Sequence, residues 1–295
     1  MTATLEPVDT PGAPPTDQPR PRGFSLPKVR LRHRGGSPLA SGIAVLWLSV
    51  IVLAPLAAIL VASTGNGFAG FWDAVTAPAA LASFRISIVV AAVVTVINSI
   101  MGTLIAWVLV RDEFPGKSVV NAVIDLPFAL PTIVASIVLL ALYGPGSPVG
   151  IHVQHTQIGV GVALAFVTLP FVVRAVQPVL MELDKDVEEA AASLGANGRT
   201  IFWRVILPAL TPAILGGAGL AFSRAIGEFG SVILIGGGIP KETEVTSQYI
   251  RALIEQDSPV DAAAVSVVLL AVSFLVLLVL RGLSGRAAKR QELDR

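Results

Sequence analysis

The chain has 295 residues, of which 54% are hydrophobic and 14% are charged, and its formal net charge is +1. Soluble globular domains carry about a quarter of charged residues, so this composition, with a mean hydropathy of +0.76, argues against a soluble enzyme and indicates a membrane protein. Cysteine is absent, which excludes disulfides and thiolate metal sites.

Six apolar runs are long enough to cross a membrane, because about 20 apolar residues span a hydrocarbon core about 30 Å thick. These runs are uniform and do not alternate apolar with polar residues, as β-barrel strands of about 10 residues do. The sequence therefore predicts an all-α polytopic membrane protein, a bundle of six transmembrane helices. The predicted spans are residues 40–62, 84–110, 119–143, 157–179, 206–238 and 262–282.

The segment before the first span, residues 1–38, holds eight of the 21 prolines together with small and basic residues. Such a segment has too little apolar area to offset the entropy of ordering, so we predict a disordered basic arm. A cleavable signal peptide is the alternative, with LVAS at 60–63 as a weak cleavage site. Its basic leader would be too long, and its apolar run is long enough to span a membrane.

Basic residues near the ends of spans mark the cytoplasmic side of a membrane protein. They occur in the N-terminal arm, in the connections 111–118 and 180–205, and in the C-terminal tail, whereas the connections 63–83 and 144–156 contain no Lys or Arg. We therefore predict a multi-pass protein with both termini in the cytoplasm.

The third predicted span contains a proline-rich stretch, DLPFALPT at 125–132. Pro127 and Pro131 disrupt helical hydrogen bonding, and such breaks are tolerated where other protein or a cavity satisfies the backbone. Together with Asp125, they form either an inner gate or subunit-interface element, or a simple kink. Arg174, near the cytoplasmic end of the fourth span, is expected to extend its charged group toward the membrane surface.

The longest cytoplasmic connection contains EEAAASLGANGRTIFWRVILPAL at 188–210. Asp186 is the predicted N-cap of a short helix, accepting a hydrogen bond from the amide of Glu189. Gly195 allows a turn in dihedrals that other residues avoid, and Pro208 suits the start of a span. These residues predict a capped helix, a hinge and a return into the membrane. The alternative is an interfacial amphipathic helix that rests on lipid head groups.

Two ionisable residues, Arg224 and Glu228, lie near the middle of the fifth predicted span. Residues four apart share one helical face, and charged side chains inside a membrane are costly. Either the pair is structural and joins helices, or, in a transporter of the kind that the resemblance given below implies, Arg224 lowers the barrier to a dianion in a translocation pathway while Glu228 holds its geometry. The glycines around the pair permit close approach of another helix.

A second amphipathic helix is predicted on the outer side, within residues 239–257, where apolar residues recur at helical spacing. It could lie on the membrane or help to form an outer gate.

The GKS sequence at 116–118 lacks the first glycine of a phosphate-binding loop, which would fall at Arg111. His152 and His155 lack nearby carboxylates, so we predict a solvated loop and no metal site. No arrangement of residues suggests a catalytic centre, and we expect that the chain is not an enzyme.

A spaced motif in the 188–210 stretch is similar to the EAA signature of membrane subunits of ABC importers, with Val at 205 where that family usually has Ile. The resemblance implies that the loop 180–208 binds a separate ATPase subunit and transmits the motion driven by ATP. The residues assigned to this coupling loop are Glu188, Glu189, Ala190, Ala191, Gly195, Val205, Leu207 and Pro208.

Three further stretches, DLPFALPT, RAIGEFGSVILIGG at 224–237 and IPKETEVTS at 239–247, resemble the CysT-type permeases of sulfate/thiosulfate importers. The resemblance extends from about residue 40 to 285. It implies a type I ABC importer permease in the plasma membrane that moves sulfate or thiosulfate inward by alternating access. The permease domain would be residues 39–284, and residues 285–295 would be a cytoplasmic tail.

The same resemblance implies several partners. These are a second related permease of the CysW type, an ATPase dimer that binds ATP and Mg, and an extracytoplasmic sulfate-binding protein. No cofactor on this chain and no nucleic acid are expected. A molybdate or tungstate permease, which shares the GEFG core, is the main alternative; an ion-coupled transporter and a membrane-embedded enzyme are more distant ones.

Overall fold

The structure is a computed structural model that describes residues 38–293. These residues form helices joined by turns, and none of them lies in a β-strand, which confirms the predicted all-α class. The predicted disordered arm lies outside the described residues except for Pro38, which begins the first helix.

Twelve α-helices follow one another within residues 38–293, and two turns of π-helix, Ser49–Leu53 and Phe202–Ile206, interrupt them. The α-helices are α1 (Pro38–Leu48), α2 (Ala54–Ser63), α3 (Gly67–Thr76), α4 (Pro78–Arg111), α5 (Lys117–Ala129), α6 (Thr132–Tyr143), α7 (Gln157–Glu182), α8 (Lys185–Ser193), α9 (Gly198–Ile201), α10 (Leu207–Ile226), α11 (Thr246–Glu255) and α12 (Pro259–Leu293).

The chain divides into two compact units, Met1–Ser49 and Val50–Arg295. The described part of the first unit is α1 and Ser49, an apolar stretch whose large side chains include the exposed Trp47. The second unit holds the remaining helices. Its centre is α7, which packs against both α4 and α10, while α12 packs on α10.

Five helical stretches of the described chain are long and apolar enough to cross a membrane, and α5 with α6 would make a sixth. The five are Leu39–Ser63, Pro78–Arg111, Gln157–Glu182, Gly198–Ile226 and Pro259–Arg286. The predicted set of spans is therefore confirmed in number when the α5–α6 pair is taken as one span. The third and fifth spans differ from their predicted form, and α12 continues past the predicted end of the sixth, into the tail.

The third span is broken rather than continuous. Helix α5 ends at Ala129, and α6 begins at Thr132 with its axis turned by 118°. Pro131 causes the break, because it cannot donate a backbone hydrogen bond and forces the preceding residue out of the helical region; Leu130 is extended, with φ −80° and ψ 134°. Pro127 lies inside α5. The predicted disruption is confirmed at Pro131, and a bend this large is more than a simple kink.

The fifth span, predicted to continue as helix to residue 238, is helical only to Ile226. Residues 227–245 follow as turns, although much of this segment is as apolar as the helix before it. Side chains satisfy part of its backbone: the Ser136 hydroxyl of α6 accepts hydrogen bonds from the amides of Leu234 and Ile235, at 3.1 and 3.4 Å. Irregular backbone of this kind is tolerated in a membrane protein where other protein buries it.

Candidate functional site

Arg224 lies in the last turn of α10, and Glu228 follows immediately after the helix cap at Gly227. The prediction that both residues lie on one helical face at the middle of a span is wrong, because the helix ends between them. They nevertheless form an ion pair. The chain bends after α10, and this bend brings the Glu228 carboxylate back to Arg224. The same carboxylate also accepts a hydrogen bond from the Ser231 amide at 2.8 Å.

The two partners differ in exposure. The Glu228 side chain is 1% exposed, whereas the Arg224 side chain is 34% exposed. A buried carboxylate is stable only when it is paired or hydrogen-bonded, and this one has both kinds of partner. The Arg224 guanidinium is thus partly accessible, and its charge is offset by the buried Glu228 carboxylate.

The backbone around this pair is held between α6 and α11. The Ser247 hydroxyl of α11 donates a 2.6 Å hydrogen bond to the Glu228 carbonyl. At Gly230, an added Cβ would lie 2.1 Å from the Thr132 hydroxyl and 3.0 Å from the Ile133 amide. Only glycine permits this approach. The structure therefore brings the Arg224–Glu228 pair next to the helix start that follows Pro131, two features that the sequence placed in separate spans.

A second polar cluster fastens α5 to α7. The Arg174 guanidinium binds both carboxylate oxygens of Asp125, at 2.7 and 2.6 Å. It also donates to the side chains of Asn121 and Gln177, at 3.2 and 2.5 Å, and to the Asn121 carbonyl at 3.0 Å. Asp125, Asn121 and Gln177 thus hold the Arg174 guanidinium, and the Arg174 side chain stays partly exposed, at 32%; its extension toward the membrane surface stays a prediction. Asp125, which lies in α5 before the break at Pro131, is consequently joined to α7.

The polar connection after α7 forms the expected short helix, α8, with a different cap. Asp184, not Asp186, is the N-cap, and its side chain accepts from the Asp186 amide at 3.0 Å. Asp184 has the extended backbone that a cap needs, whereas Asp186 is already inside the helix. The turn after α8 is confirmed: Gly195 has φ +86°, a conformation that side chains disfavour.

Helix α8 has no buried residue. Val187 is 51% exposed, Leu194 at the helix end is 90% exposed, and Glu189 and Ala190 are exposed as well. Glu188 differs from its neighbour, because it turns inward and forms an ion pair with Arg111 at the end of α4. The structure thereby separates the two glutamates of the EAA motif, one facing the bundle and one facing outward.

The return into the bundle begins earlier than predicted, at Gly198, because α9 and the π-helical turn continue into α10. The Leu207 amide donates to the Phe202 carbonyl, five residues back. A π-helical turn of this kind accommodates Pro208, which has no amide hydrogen and would crowd a regular helical turn. Val205, Leu207 and Pro208 thus belong to a helix that is continuous with the fifth span.

On the α11 side, two ionisable groups have altered pKa values. Burial raises the pKa of the Glu244 carboxyl above its ordinary value. Burial also raises the pKa of Tyr249, and the nearby carboxylates of Glu244 and Asp261 raise it further.

The predicted metal-free loop contains His152, whose Nδ1 is 2.7 Å from the Gly144 carbonyl. No group of three or more metal-ligating residues occurs within the part of the chain that the structure describes.

Residues 98–290 match the family model of the binding-protein-dependent transport system inner membrane component. The match includes the break at Pro131, the loop that contains α8 and the Arg224–Glu228 pair. The chain belongs to this permease family. It is therefore a multi-pass membrane protein and a transport subunit rather than an enzyme.

Related sequences give the same assignment. The permease is 44% identical over 245 residues to the sulfate transport system permease protein CysT of Synechocystis sp., covering 81% of this chain and 86% of that protein. It is 40% identical over 262 residues to the CysT protein of Escherichia coli, covering 86% and 95%. These similarities confirm the resemblance to CysT-type permeases.

Solved structures of ABC transporters share the fold. A bacterial alginate ABC transporter, solved in complex with a periplasmic protein, aligns with a TM-score of 0.68 at 15% identity, covering 84% of the permease and 93% of that chain. The MetNI methionine ABC transporter in inward facing conformations aligns with a TM-score of 0.51 at 16% identity, covering 70% and 96%. At such low identity the likeness concerns the fold alone, and it confirms the predicted permease architecture.

Proposed function

We propose that the permease moves sulfate or thiosulfate inward across the plasma membrane as the membrane-spanning subunit of an ATP-driven importer. The observation that carries the proposal is the identity of 44% over 245 residues to a protein named as a sulfate transport permease. The inward direction follows from the resemblance to importers, and the distribution of Lys and Arg predicts that α8 and both termini lie in the cytoplasm.

The exposed surface of α8 is the docking surface for the ATPase in this proposal. Val187, Ala190 and Leu194 lie on one side of the helix by their spacing, and the outward Glu189 carboxylate beside them is available to a basic residue of a partner. Short alanine side chains let a partner approach the helix backbone closely. ATP and Mg would bind to that ATPase, and its conformational cycle would move α8.

The anion pathway passes Arg224 in this proposal. A dianion entering from the outer side meets the exposed part of the guanidinium, and the buried Glu228 carboxylate prevents the site from holding the anion too tightly. The turns of residues 227–245 and the break between α5 and α6 meet at Gly230. A relative movement of these two segments would open and close the pathway, which assigns the gate role to Asp125, Pro127 and Pro131.

The complete importer would contain a second permease of the CysW type, two ATPase subunits and an extracytoplasmic sulfate-binding protein. The outer surface around α11 is the site where we place that binding protein. Selection among sulfate, thiosulfate and molybdate would rest largely on the binding protein, because a weak site such as Arg224–Glu228 discriminates little between oxyanions of equal charge.

Uptake of labelled sulfate in cells that lack this permease tests the proposal. Wild-type permease should restore uptake, Glu189→Lys should not, and the control Glu113→Lys should, because Glu113 is 89% exposed and lies outside α8. Excess unlabelled molybdate should leave uptake unchanged. Uptake that does not depend on the permease would refute the sulfate assignment, and full competition by molybdate would favour the molybdate alternative.

A further inference from the structure

Arg111, the last residue of α4, is joined to Glu188 of α8 across 77 positions of sequence. Both side chains are largely shielded, with 14% and 23% exposure. Helix α8 has nine residues, none of them buried, and a helix of that length is not stable by itself in water. The ion pair with Arg111 is thus a principal link between α8 and the described helical bundle.

Arg111 is also connected to the start of the fifth span. Its guanidinium lies over the Trp107 ring, 5.4 Å from the centroid. Trp107 packs edge-to-face against Phe202, with 5.7 Å between ring centroids. Phe202 is the first residue of the π-helical turn that leads into α10. One line of contacts therefore runs from α8 through the end of α4 to the base of α10.

The covalent route between α8 and α10 is a weaker mechanical link. It passes through Gly195, with φ +86°, and through Gly198, whose neighbourhood is open enough that an added Cβ would meet nothing within 4 Å. Glycines in open surroundings give the chain freedom to turn. Motion of α8 could be absorbed there without reaching α10.

We propose that Arg111 is a positioning residue that couples the movement of α8 to the membrane helices, through Glu188 on one side and through Trp107 and Phe202 on the other. The inference rests on the proposed function and adds a residue to it. Glu188 then acts within the permease, while Glu189 faces the ATPase. Arginine suits this role because its planar guanidinium can bind a carboxylate and stack on an aromatic ring at once.

The test uses the complete importer, purified through a tag on this permease and reconstituted in lipid vesicles. Labelled sulfate uptake and phosphate release are measured in the same vesicles, so that sulfate moved per ATP hydrolysed is obtained. Arg111→Gln and Glu188→Gln should each lower this ratio about tenfold, the effect of losing a charge-assisted hydrogen bond, while ATP hydrolysis continues. Exchanging the charges, with Arg111→Glu and Glu188→Arg together, should restore part of the ratio.

The control is Glu113→Gln, which removes an exposed ion pair with Lys117 in the next connection and should leave the ratio unchanged, since such surface pairs contribute little. Glu188→Gln leaves α4 intact and replaces Arg111→Gln if that variant does not assemble. A ratio equal to wild type in the Gln variants would overturn the inference. Restoration on exchanging the charges can only be partial, because Arg111→Glu also removes the stack on Trp107.

Hydrogen exchange of the α8 amides gives a second readout that does not depend on the transported ion. Exchange in α8 should be at least several-fold faster in Arg111→Gln than in wild type, and unchanged in Glu113→Gln. Equal exchange in Arg111→Gln and wild type would reject the role of Arg111. Faster exchange together with wild-type vesicles that hydrolyse ATP but move no sulfate would support the inference and count against the proposed substrate instead.

Discussion

Two neighbouring glycines of α10 provide a matched test of how the bundle is packed. A Cβ added at Gly217 would lie 2.9 Å from the Ala175 Cβ, 3.0 Å from the Val172 Cα and 3.2 Å from the Phe171 carbonyl. All three atoms belong to α7, and none is the mobile end of a long side chain. A Cβ added at Gly216 would meet nothing within 4 Å.

The expected costs follow from these distances. Alanine at position 217 must push α7 and α10 apart, and overpacking of this kind costs about 1–3 kcal/mol. Alanine also favours a helix over glycine by about 1 kcal/mol, so the net loss at 217 is up to about 2 kcal/mol. At position 216 only the helical gain remains, and Gly216→Ala should be neutral or stabilising by up to about 1 kcal/mol.

The difference in stability between the two variants is measured by unfolding the purified permease in detergent. Unfolding is followed by circular dichroism or by a fluorescence assay that needs no thiol, because the chain has no cysteine. Gly217→Ala should unfold at a lower temperature or denaturant concentration than wild type, and Gly216→Ala should not. Equal midpoints for the two variants would mean that α7 and α10 are not in the close contact described, and the packing argument would fail.

Three further predictions concern the polar sites. Arg224→Gln should abolish sulfate uptake while assembly with the partner subunits remains intact in co-purification, and unchanged uptake would assign the pair to structure alone. Arg174→Lys should destabilise the permease by about 1 kcal/mol, because lysine cannot replace the paired hydrogen bonds to the partly exposed Asp125; an unfolding midpoint equal to wild type would contradict this. The pKa of Glu244 is raised above 4.5 by burial, so the folded state holds this proton more tightly than the unfolded chain. The stability of the wild type, compared with that of Glu244→Gln, should therefore fall as pH rises from 4.5 through the raised pKa. Parallel pH profiles of stability for the two proteins would mean that the Glu244 proton does not contribute to stability.

Several features of the permease were predictable from the sequence because they depend on local chemistry. The length of the apolar runs determined the membrane spans, since the thickness of a bilayer sets that length. Asp184 and the alanines that follow determined a capped helix at α8, and Gly195 determined the turn after it. Pro131 determined that the third span is disrupted. The cap itself was misplaced by two residues, because both Asp184 and Asp186 are suitable capping residues.

Other features were decided by residues far apart in the chain. The end of α10 at Ile226 could not be predicted, because the apolar sequence after it fits a helix equally well; the turns are stabilised by Ser136, 98 positions away. Arg174 finds Asp125 across 49 positions, and Arg111 finds Glu188 across 77. Local sequence patterns carry no information about such pairings. Only the packing of α4, α5 and α10 around α7 brings these charges together, and with them the line of contacts from α8 into the bundle.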